Sequence, residues 1–154
     1  KYFLMLLPDD LIIKKNCSKS MILVHKKFKA SVMASMKVNK SDVTRWGIYN
    51  IKKKIDKNNF IINNVVEKPS IKTSPSNYAV IGRYILPKTI FSKLKSLKPG
   101  KSGEFHITDA IQALIEDDHQ FIGHNFSGKY LDCGTMNGYI KSTLEISKQW
   151  NFAW

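Results

Sequence analysis

The sequence predicts a globular, single-domain α/β protein with a mixed sheet, and three observations support this. Strand-like runs alternate with helical runs at both ends of the chain, and a hairpin-rich stretch lies between them. The 154 residues are 43% hydrophobic and 24% charged, which is the balance of an ordinary globular protein. A chain of this length fits one domain. We therefore expect a single domain over residues 1–154.

The first third of the chain predicts two strands and the helix that joins them. Tyr2–Leu7 is an apolar run that predicts a fully buried strand, and a Pro-Asp-Asp turn ends it. Ser18 or Ser20 can cap a helix that extends to about residue 29. The small and branched apolar residues of Ala30–Val38 then predict a second strand.

The middle of the chain predicts a hairpin followed by a longer strand. Residues 46–51 and 60–66 have the composition of strands, and the lysine-rich segment between them predicts a turn. Tyr78–Leu86 predicts a further strand. Pro87 suits the first turn of the helix expected next.

The last third predicts two helices around two short strands. Thr108 can cap the first of these helices, because a helical pattern of apolar residues follows it. Residues 119–126 and 130–133 predict the short strands. The final helix is expected to begin at Thr135 or Asn137.

The chain is strongly basic, with 25 Lys+Arg against 12 Asp+Glu and a net charge of +13. Such a charge favours phosphate-bearing ligands. Of the basic residues, 23 are lysine and only Arg45 and Arg83 are arginine, the residue that most often recognises guanine and phosphate bidentately. The lysines, asparagines and isoleucines also fit an AT-rich coding bias. We therefore expect no nucleic-acid partner.

The cysteines and apolar runs limit the cellular setting. Cys17 and Cys133 lie far apart in the sequence, which indicates two ordinary buried thiols in a reducing compartment such as the cytoplasm. No apolar run approaches the roughly 20 residues of a membrane span, so no membrane association is expected. The four histidines have no zinc-binding spacing.

Two carboxylates, Asp9 and Asp10, directly follow the first predicted strand. Ligands of open α/β sheets bind at the carboxyl ends of strands, and Mg²⁺ usually takes one or two carboxylates together with substrate phosphates. A Pro-Asp-Asp turn that caps the next helix explains the same residues without a metal. The spacing by itself favours the turn.

Three other positions are candidates for ligand contacts. Glu67 and Lys68 end a strand before a proline, where a carboxylate can accept sugar hydroxyl groups and an ammonium can neutralise a phosphate; two solvated charges are the alternative. Gly47 lies inside a strand pattern, which indicates either a bulge or a close approach of a ligand. Asp109 stands at the start of a predicted helix.

Taken in order, these segments resemble a known family of enzymes. The resemblance rests on motifs spread over nearly the whole chain: Leu7-Pro8-Asp9-Asp10, Arg45-Trp46-Gly47-Ile48, Val66-Glu67-Lys68-Pro69, Pro75 to Tyr84 (PSNYAVIGRY), Gly103 to Ile111 (GEFHITDAI), and Asp132-Cys133-Gly134 with Gly138-Tyr139. In sequence and spacing they resemble the sugar-phosphate nucleotidyltransferases. Within that superfamily, they resemble the bacterial UTP–glucose-1-phosphate uridylyltransferases.

The resemblance implies a Rossmann-like mixed-sheet nucleotidyltransferase fold and the reaction of UTP with glucose 1-phosphate to give UDP-glucose and pyrophosphate. It implies Asp9 as a Mg²⁺ ligand with a catalytic role, and Asp109 as a further residue of the metal site. It implies Gly47 and Glu67 as contacts to glucose. Lys68 is then the catalytic contact to the sugar phosphate.

The glycine-rich loop that binds the triphosphate in this family has no counterpart in residues 1–154. We therefore expect the chain to be the sugar-phosphate-binding half of a catalytic domain that lacks its N-terminal nucleotide-binding part. We also expect it to be inactive alone, with an open apolar edge strand that favours homo-oligomers. A non-catalytic module that binds polyanions and a non-functional gene remnant are the alternatives.

Overall fold

The protein is a mixed α/β structure in a computed structural model that describes residues 1–99, 103 and 105–150. Within these residues the chain forms eight strands, four α-helices and one short 3-10 helix. In chain order they are β1 (Tyr2–Leu6), β2 (Asp10–Ile13), α1 (Cys17–Phe28), β3 (Ser31–Lys37), the 3-10 helix (Lys40–Arg45), β4 (Gly47–Lys54), β5 (Asn59–Glu67), β6 (Tyr78–Pro87), α2 (Ile90–Ser96), α3 (Ile107–Glu116), β7 (Phe121–Asn125), β8 (Lys129–Asp132) and α4 (Met136–Trp150).

Six of the strands form one mixed sheet in the order β1-β6-β3-β7-β5-β4, which confirms the predicted fold class. β3 and β7 are parallel, and β6 is antiparallel to both β1 and β3. β1, β3 and β7 therefore point the same way, and the turn after β1 lies at the carboxyl end of these strands. The remaining strands, β2 and β8, form a small antiparallel ribbon in which Asp10 is opposite Asp132.

The sheet is buried on both faces, because neighbouring residues of its central strands belong to different cores. Val32 of β3 packs in a cluster with Met21 and Val24 of α1. The next residue, Met33, packs in a second cluster that includes Ile111 and Leu114 of α3. Burial on both faces explains why β3 and β6 are nearly continuous apolar runs rather than alternating ones.

β1 is less buried than its sequence predicts. It pairs with β6 on one side, and no other strand of the described residues pairs with it, so it forms one edge of the sheet. Tyr2 and Leu6 are 43% and 47% exposed. The prediction of a fully buried strand is therefore wrong. The apolar edge itself is present as expected, and self-association through it stays a prediction.

The structure also corrects several local predictions. Asn16, rather than Ser18 or Ser20, caps α1, because its side chain accepts a hydrogen bond from the backbone N–H of Lys19 at 2.9 Å. Residues 52–54 belong to β4 and not to a turn. Pro87 ends β6 instead of starting a helix. The α3 cap is His106 and not Thr108, and the ribbon strand β2 was not predicted.

Both cysteines are free, as predicted, but only Cys17 is buried. Burial raises the pKa of the Cys17 thiol to about 11, which keeps it protonated and unreactive near neutral pH. Among the described helices, none has the length and apolarity required to cross a membrane.

Candidate functional site

A cavity of about 510 Å³ lies where the turn after β1 meets β4, β5, β6 and β8. It brings together three residues that the sequence predicted for the site, Asp9, Gly47 and Glu67. Asp10 and Asp132 line it too. We call Asp9, Asp10 and Asp132 the acidic wall.

The turn that presents the acidic wall is held by the buried side chain of Arg83, which is 8% exposed. The guanidinium of Arg83 donates to the carbonyl oxygens of Leu7, at 3.2 Å, and Asp10. The backbone N–H of Leu7 also donates to the carbonyl of Gly82 at 2.8 Å. Arg83 therefore acts here as a clamp on backbone carbonyl groups, which fixes where the two following carboxylates lie.

Asp10 is bound on both of its carboxylate oxygens. One oxygen accepts from the backbone N–H of Gly82, which lies in the buried part of β6, and the other accepts from the hydroxyl group of Tyr130. A β-carbon on residue 82 would lie 2.4 Å from the Asp10 carboxylate, so only glycine allows this approach. Asp10 thus joins β2, β6 and β8, and its hydrogen bonds show a structural role.

Asp9 and Asp132 both face one point above Gly134. The position that a β-carbon of residue 134 would take is 2.9 Å from Asp9 Oδ2 and 3.3 Å from Asp132 Oδ1. The carbonyl of Asp9 accepts a hydrogen bond from the N–H of Cys133 at 2.8 Å, and Asp132 Oδ1 accepts from the N–H of Gly134 at 2.9 Å. Backbone contacts therefore hold these two carboxylates near each other.

The donor atoms of this pair suit a hard cation. All of them are carboxylate oxygens, which Mg²⁺ prefers, and Mg²⁺ is commonly held by one or two carboxylates with substrate phosphates completing its shell. Over the described residues no group of three or more His, Cys, Asp or Glu side chains is arranged to hold a metal ion.

Gly47 and Glu67 also line the cavity. They are directly opposite each other in the β4–β5 pair. A β-carbon on residue 47 would lie 3.0 Å from Glu67 Oε2, so the glycine leaves room for that carboxylate and for a ligand beside it. Together with the neighbouring Lys68 we call these residues the strand-end wall. Glu67 and Lys68 are exposed, and within the described part of the chain neither side chain is hydrogen-bonded or ion-paired.

Lys68 follows β5 but does not line the cavity in this conformation. Its backbone is left-handed, with φ of 42°, and its N–H donates to the carbonyl of Trp46 at 3.0 Å. The left-handed region costs a non-glycine residue about 1 kcal/mol, and residues held there often lie at functional sites. Because this conformation departs from strand geometry, Lys68 does not continue the side-chain alternation of β5.

Asp109 does not line the cavity either. It is exposed on the first turn of α3, and its predecessor Thr108 is the helix residue that reaches the cavity wall. Asp132, by contrast, was quoted as part of a motif but not predicted as a site residue. The sequence did contain a signal for it. Asp132 is a carboxylate at the end of a short strand, two residues before Gly134, much as Asp9 is a carboxylate that follows β1.

Two tyrosines on the cavity wall remain neutral because of their surroundings. Burial raises the pKa of Tyr130, and the hydrogen bond to Asp10 and the nearby carboxylates raise it further. Burial also raises the pKa of Tyr84, with smaller contributions from the charges of Asp10 and Glu67. Both phenols therefore stay protonated near neutral pH, and the Tyr130 hydroxyl donates to Asp10.

The chain is similar to known nucleotidyl transferases. The Nucleotidyl transferase family model matches residues 1–149. A UTP–glucose-1-phosphate uridylyltransferase of Pseudomonas aeruginosa is 35% identical over 144 residues, which are 92% of this chain and 51% of that protein.

Solved structures agree with the sequence comparison. The crystal structure of apo UDP-glucose pyrophosphorylase superposes with a TM-score of 0.90 at 35% identity, over 96% of this chain and 55% of that one. UDP-glucose pyrophosphorylase complexed with UDP-glucose gives 0.87 at 35% identity, over 96% and 57%. The chain thus spans about half the length of the relatives that it matches. On the family match and the shared fold, it belongs to the nucleotidyl transferase family.

Proposed function

We propose that this chain supplies the sugar-phosphate-binding half of a UTP–glucose-1-phosphate uridylyltransferase. The observation that supports this most directly is the cavity, which gathers Asp9, Gly47, Glu67 and Asp132 from four separate segments. Two relatives of known structure are UDP-glucose pyrophosphorylases, and one of them is in complex with UDP-glucose. UTP and glucose 1-phosphate are the proposed substrates.

Asp9 and Asp132 would hold Mg²⁺ in this proposal. When bound, the ion would offset the charge of the phosphates and stabilise the charge that develops during transfer. The physical need is clear, because the acidic wall would otherwise repel two anionic substrates. Asp109, which lies next to the cavity-lining Thr108, stays a prediction for the same metal site.

The strand-end wall is assigned to the sugar phosphate. The Glu67 carboxylate can accept hydrogen bonds from sugar hydroxyl groups, and Gly47 lets the ring approach the backbone. The Lys68 ammonium is next in the chain and free to turn toward a phosphate. Among the described residues, its exposed side chain forms no hydrogen bond or ion pair that would have to break first.

The proposed reaction is an in-line transfer at phosphorus. A phosphate oxygen of glucose 1-phosphate forms a bond to the α-phosphorus of UTP, and the bond from that phosphorus to the bridging oxygen of pyrophosphate breaks. Such a transfer requires little covalent work from the protein. The chain's own residues would orient the sugar phosphate and neutralise its charge, and alignment of the reactants supplies much of the rate.

The setting that we propose is the cytoplasm. Both cysteines are free thiols in the structure. Free thiols persist in a reducing compartment.

Metal binding to the purified chain tests the proposal at its centre. Mn²⁺ serves as a paramagnetic substitute for Mg²⁺, and its binding is followed by electron paramagnetic resonance. We expect Asp9→Asn and Asp132→Asn each to weaken Mn²⁺ binding by roughly tenfold or more. Asp117→Asn is the matched control, because it removes a carboxylate that pairs with Lys93 away from the cavity.

Unchanged Mn²⁺ binding in both cavity variants would remove the metal site from the proposal. Binding of glucose 1-phosphate, measured by calorimetry with Glu67→Gln and Lys68→Ala, tests the sugar side separately. We expect both variants to bind it more weakly than the wild type does.

A further inference from the structure

We propose that Arg45 is the counter-ion of Asp132 while no metal is bound, and that it moves onto a substrate phosphate when a divalent cation takes Asp132. This inference rests on the proposed metal-binding role of Asp132. In this order of binding the cation binds first and releases Arg45. Arg45 then positions the phosphate.

The ion pair that supports this lies at the edge of the acidic wall. Arg45 Nη2 is 3.9 Å from Asp132 Oδ2, while Asp132 Oδ1 accepts the N–H of Gly134 and faces Asp9. A cation bound between Asp9 and Asp132 would partly neutralise the negative charge that now attracts Arg45. It would also repel the guanidinium, because both carry positive charge a few ångströms apart.

The Arg45 side chain has the freedom to make this exchange. It is 62% exposed, and in the described ranges Asp132 is its one ion-pair partner. The guanidinium also lies 5.9 Å from the ring centroid of Trp46, which packs edge-on against Tyr130. An exposed pair at 3.9 Å changes an equilibrium by at most about fivefold, so a divalent cation can displace it.

The position of Arg45 also indicates where its guanidinium would lie after Asp132 binds the cation. The residue lines the main cavity and an adjoining one of about 380 Å³ beside the start of α4, which Lys141 also lines. Released from Asp132, the guanidinium would stay at the boundary of the two cavities. The planar guanidinium binds phosphate with two parallel hydrogen bonds, which an ammonium group does not provide.

The composition of the chain adds an independent reason. Arginine accounts for only 2 of the 25 basic residues, and Arg83 uses its guanidinium to clamp backbone carbonyls. The other arginine is thus the one exposed guanidinium in a lysine-rich chain, and it lies at the mouth of the candidate site. A surface role in general solubility would be served equally well by lysine.

Mn²⁺ binding to the purified chain, measured in the absence of substrate, tests the first half of the exchange. Arg45→Gln removes the charge that competes with the metal, so we expect it to bind Mn²⁺ about two- to fivefold more tightly than the wild type. Lys40→Gln removes a positive charge from the same 3-10 helix without touching Asp132, and its Mn²⁺ affinity should stay within a factor of 1.5, that is, about the measurement error.

Glucose 1-phosphate titrated by calorimetry, with and without Mg²⁺, tests the second half. In the wild type, Mg²⁺ should strengthen binding of the sugar phosphate, and in Arg45→Gln this gain should fall by about threefold or more. Arg45→Lys keeps the charge but loses the bidentate geometry. It should restore wild-type Mn²⁺ affinity while recovering only part of the Mg²⁺-dependent gain.

The outcomes separate this inference from the function on which it rests. If Asp132→Asn binds Mn²⁺ normally while Asp9→Asn does not, Asp132 is not a metal ligand and the role of Arg45 fails. If both variants bind Mn²⁺ normally, the metal site fails as well. If Asp132→Asn loses Mn²⁺ but Arg45→Gln binds it no more tightly than the wild type, only the inference about Arg45 is overturned. A Mg²⁺-dependent gain that persists in Arg45→Gln would overturn the phosphate step alone.

Discussion

On the acidic wall of the cavity, Asp10 is bound on both oxygens, and backbone contacts hold Asp9 and Asp132. On the strand-end wall, the β4–β5 pairing and the hydrogen bond from the Lys68 N–H to the Trp46 carbonyl hold the backbone, but the exposed side chains of Glu67 and Lys68 have no hydrogen-bond or ion-pair partner in the described residues. The same cavity therefore has one side that is built in advance and one side that is free to adapt.

The difference follows from what each wall is proposed to bind. Carboxylates brought together repel each other, and only fixed donors and nearby cations keep them in place before a metal arrives. A sugar is neutral and is recognised by hydrogen bonds that side chains can form after it enters. Side chains are therefore held by hydrogen bonds where like charges meet, and left without partners where the sugar phosphate is expected.

The largest effect on the acidic wall is expected for Asp10→Ala. The substitution removes two hydrogen bonds to a charged acceptor and leaves the buried N–H of Gly82 without its partner, so we expect a loss of about 4 kcal/mol in the free energy of unfolding. Urea denaturation measures it. Glu67→Ala on the other wall should cost less than about 0.5 kcal/mol. Equal losses in the two variants would show that the walls do not differ in rigidity.

Lys68→Ala tests the strand-end wall in the complete enzyme. Loss of one well-placed charge on the sugar phosphate should weaken transition-state binding by about 3 kcal/mol, measured as kcat/KM for glucose 1-phosphate. The folding free energy should stay close to that of the wild type, because the Lys68 side chain has no partner to lose. Unchanged kcat/KM would remove Lys68 from the site.

Gly47→Ala adds a methyl group beside the Glu67 side chain on the strand-end wall. Because the new β-carbon would lie 3.0 Å from Glu67 Oε2, we expect glucose 1-phosphate to bind roughly tenfold more weakly, which is about 1.4 kcal/mol. Calorimetry measures this binding. In a Glu67→Ala background the same substitution should have a smaller further effect, because only the contact of the new β-carbon with Val65 Cγ1, at 3.2 Å, remains close. Full additivity of the two changes would contradict a contact through Glu67.

Tyr84 lines the cavity between the two walls and gives the smallest expected effect. Its pKa is raised in the folded state by burial first and then by the charges of Asp10 and Glu67. The unfolded chain therefore releases this proton first as pH rises. The stability that Tyr84 contributes is complete below about pH 10, the ordinary tyrosine pKa, and is lost above it.

Tyr84→Phe should for this reason reduce the fall in stability between about pH 9 and 11, by up to about 1 kcal/mol. Urea denaturation at several pH values measures it, with tyrosinate absorbance as a direct readout. Tyr139→Phe is the matched control, since Tyr139 is 58% exposed on α4. The assignment is wrong if the two variants show the same pH dependence.

Several site residues could be predicted because they lie in motifs that resemble those of a known family. Asp9, Gly47 and Glu67 were expected at the site on that resemblance, and the structure brings them to one cavity. The part that Asp10 plays was not predictable in this way. Its neighbour Asp9 has the same chemistry, and nothing local to the two residues says which one turns toward Gly82 and Tyr130.

The sequence by itself determined the mixed α/β class, the order of most strands and helices, and the family, because apolar periodicity and short motifs are properties of neighbouring residues. The tertiary structure decided that β1 is an exposed edge and that Arg83 clamps the acidic turn. It also decided that Asp132 stands beside Asp9 and within reach of Arg45. These contacts join residues tens of positions apart, and their partners are set by strand pairing and packing, which no local pattern encodes.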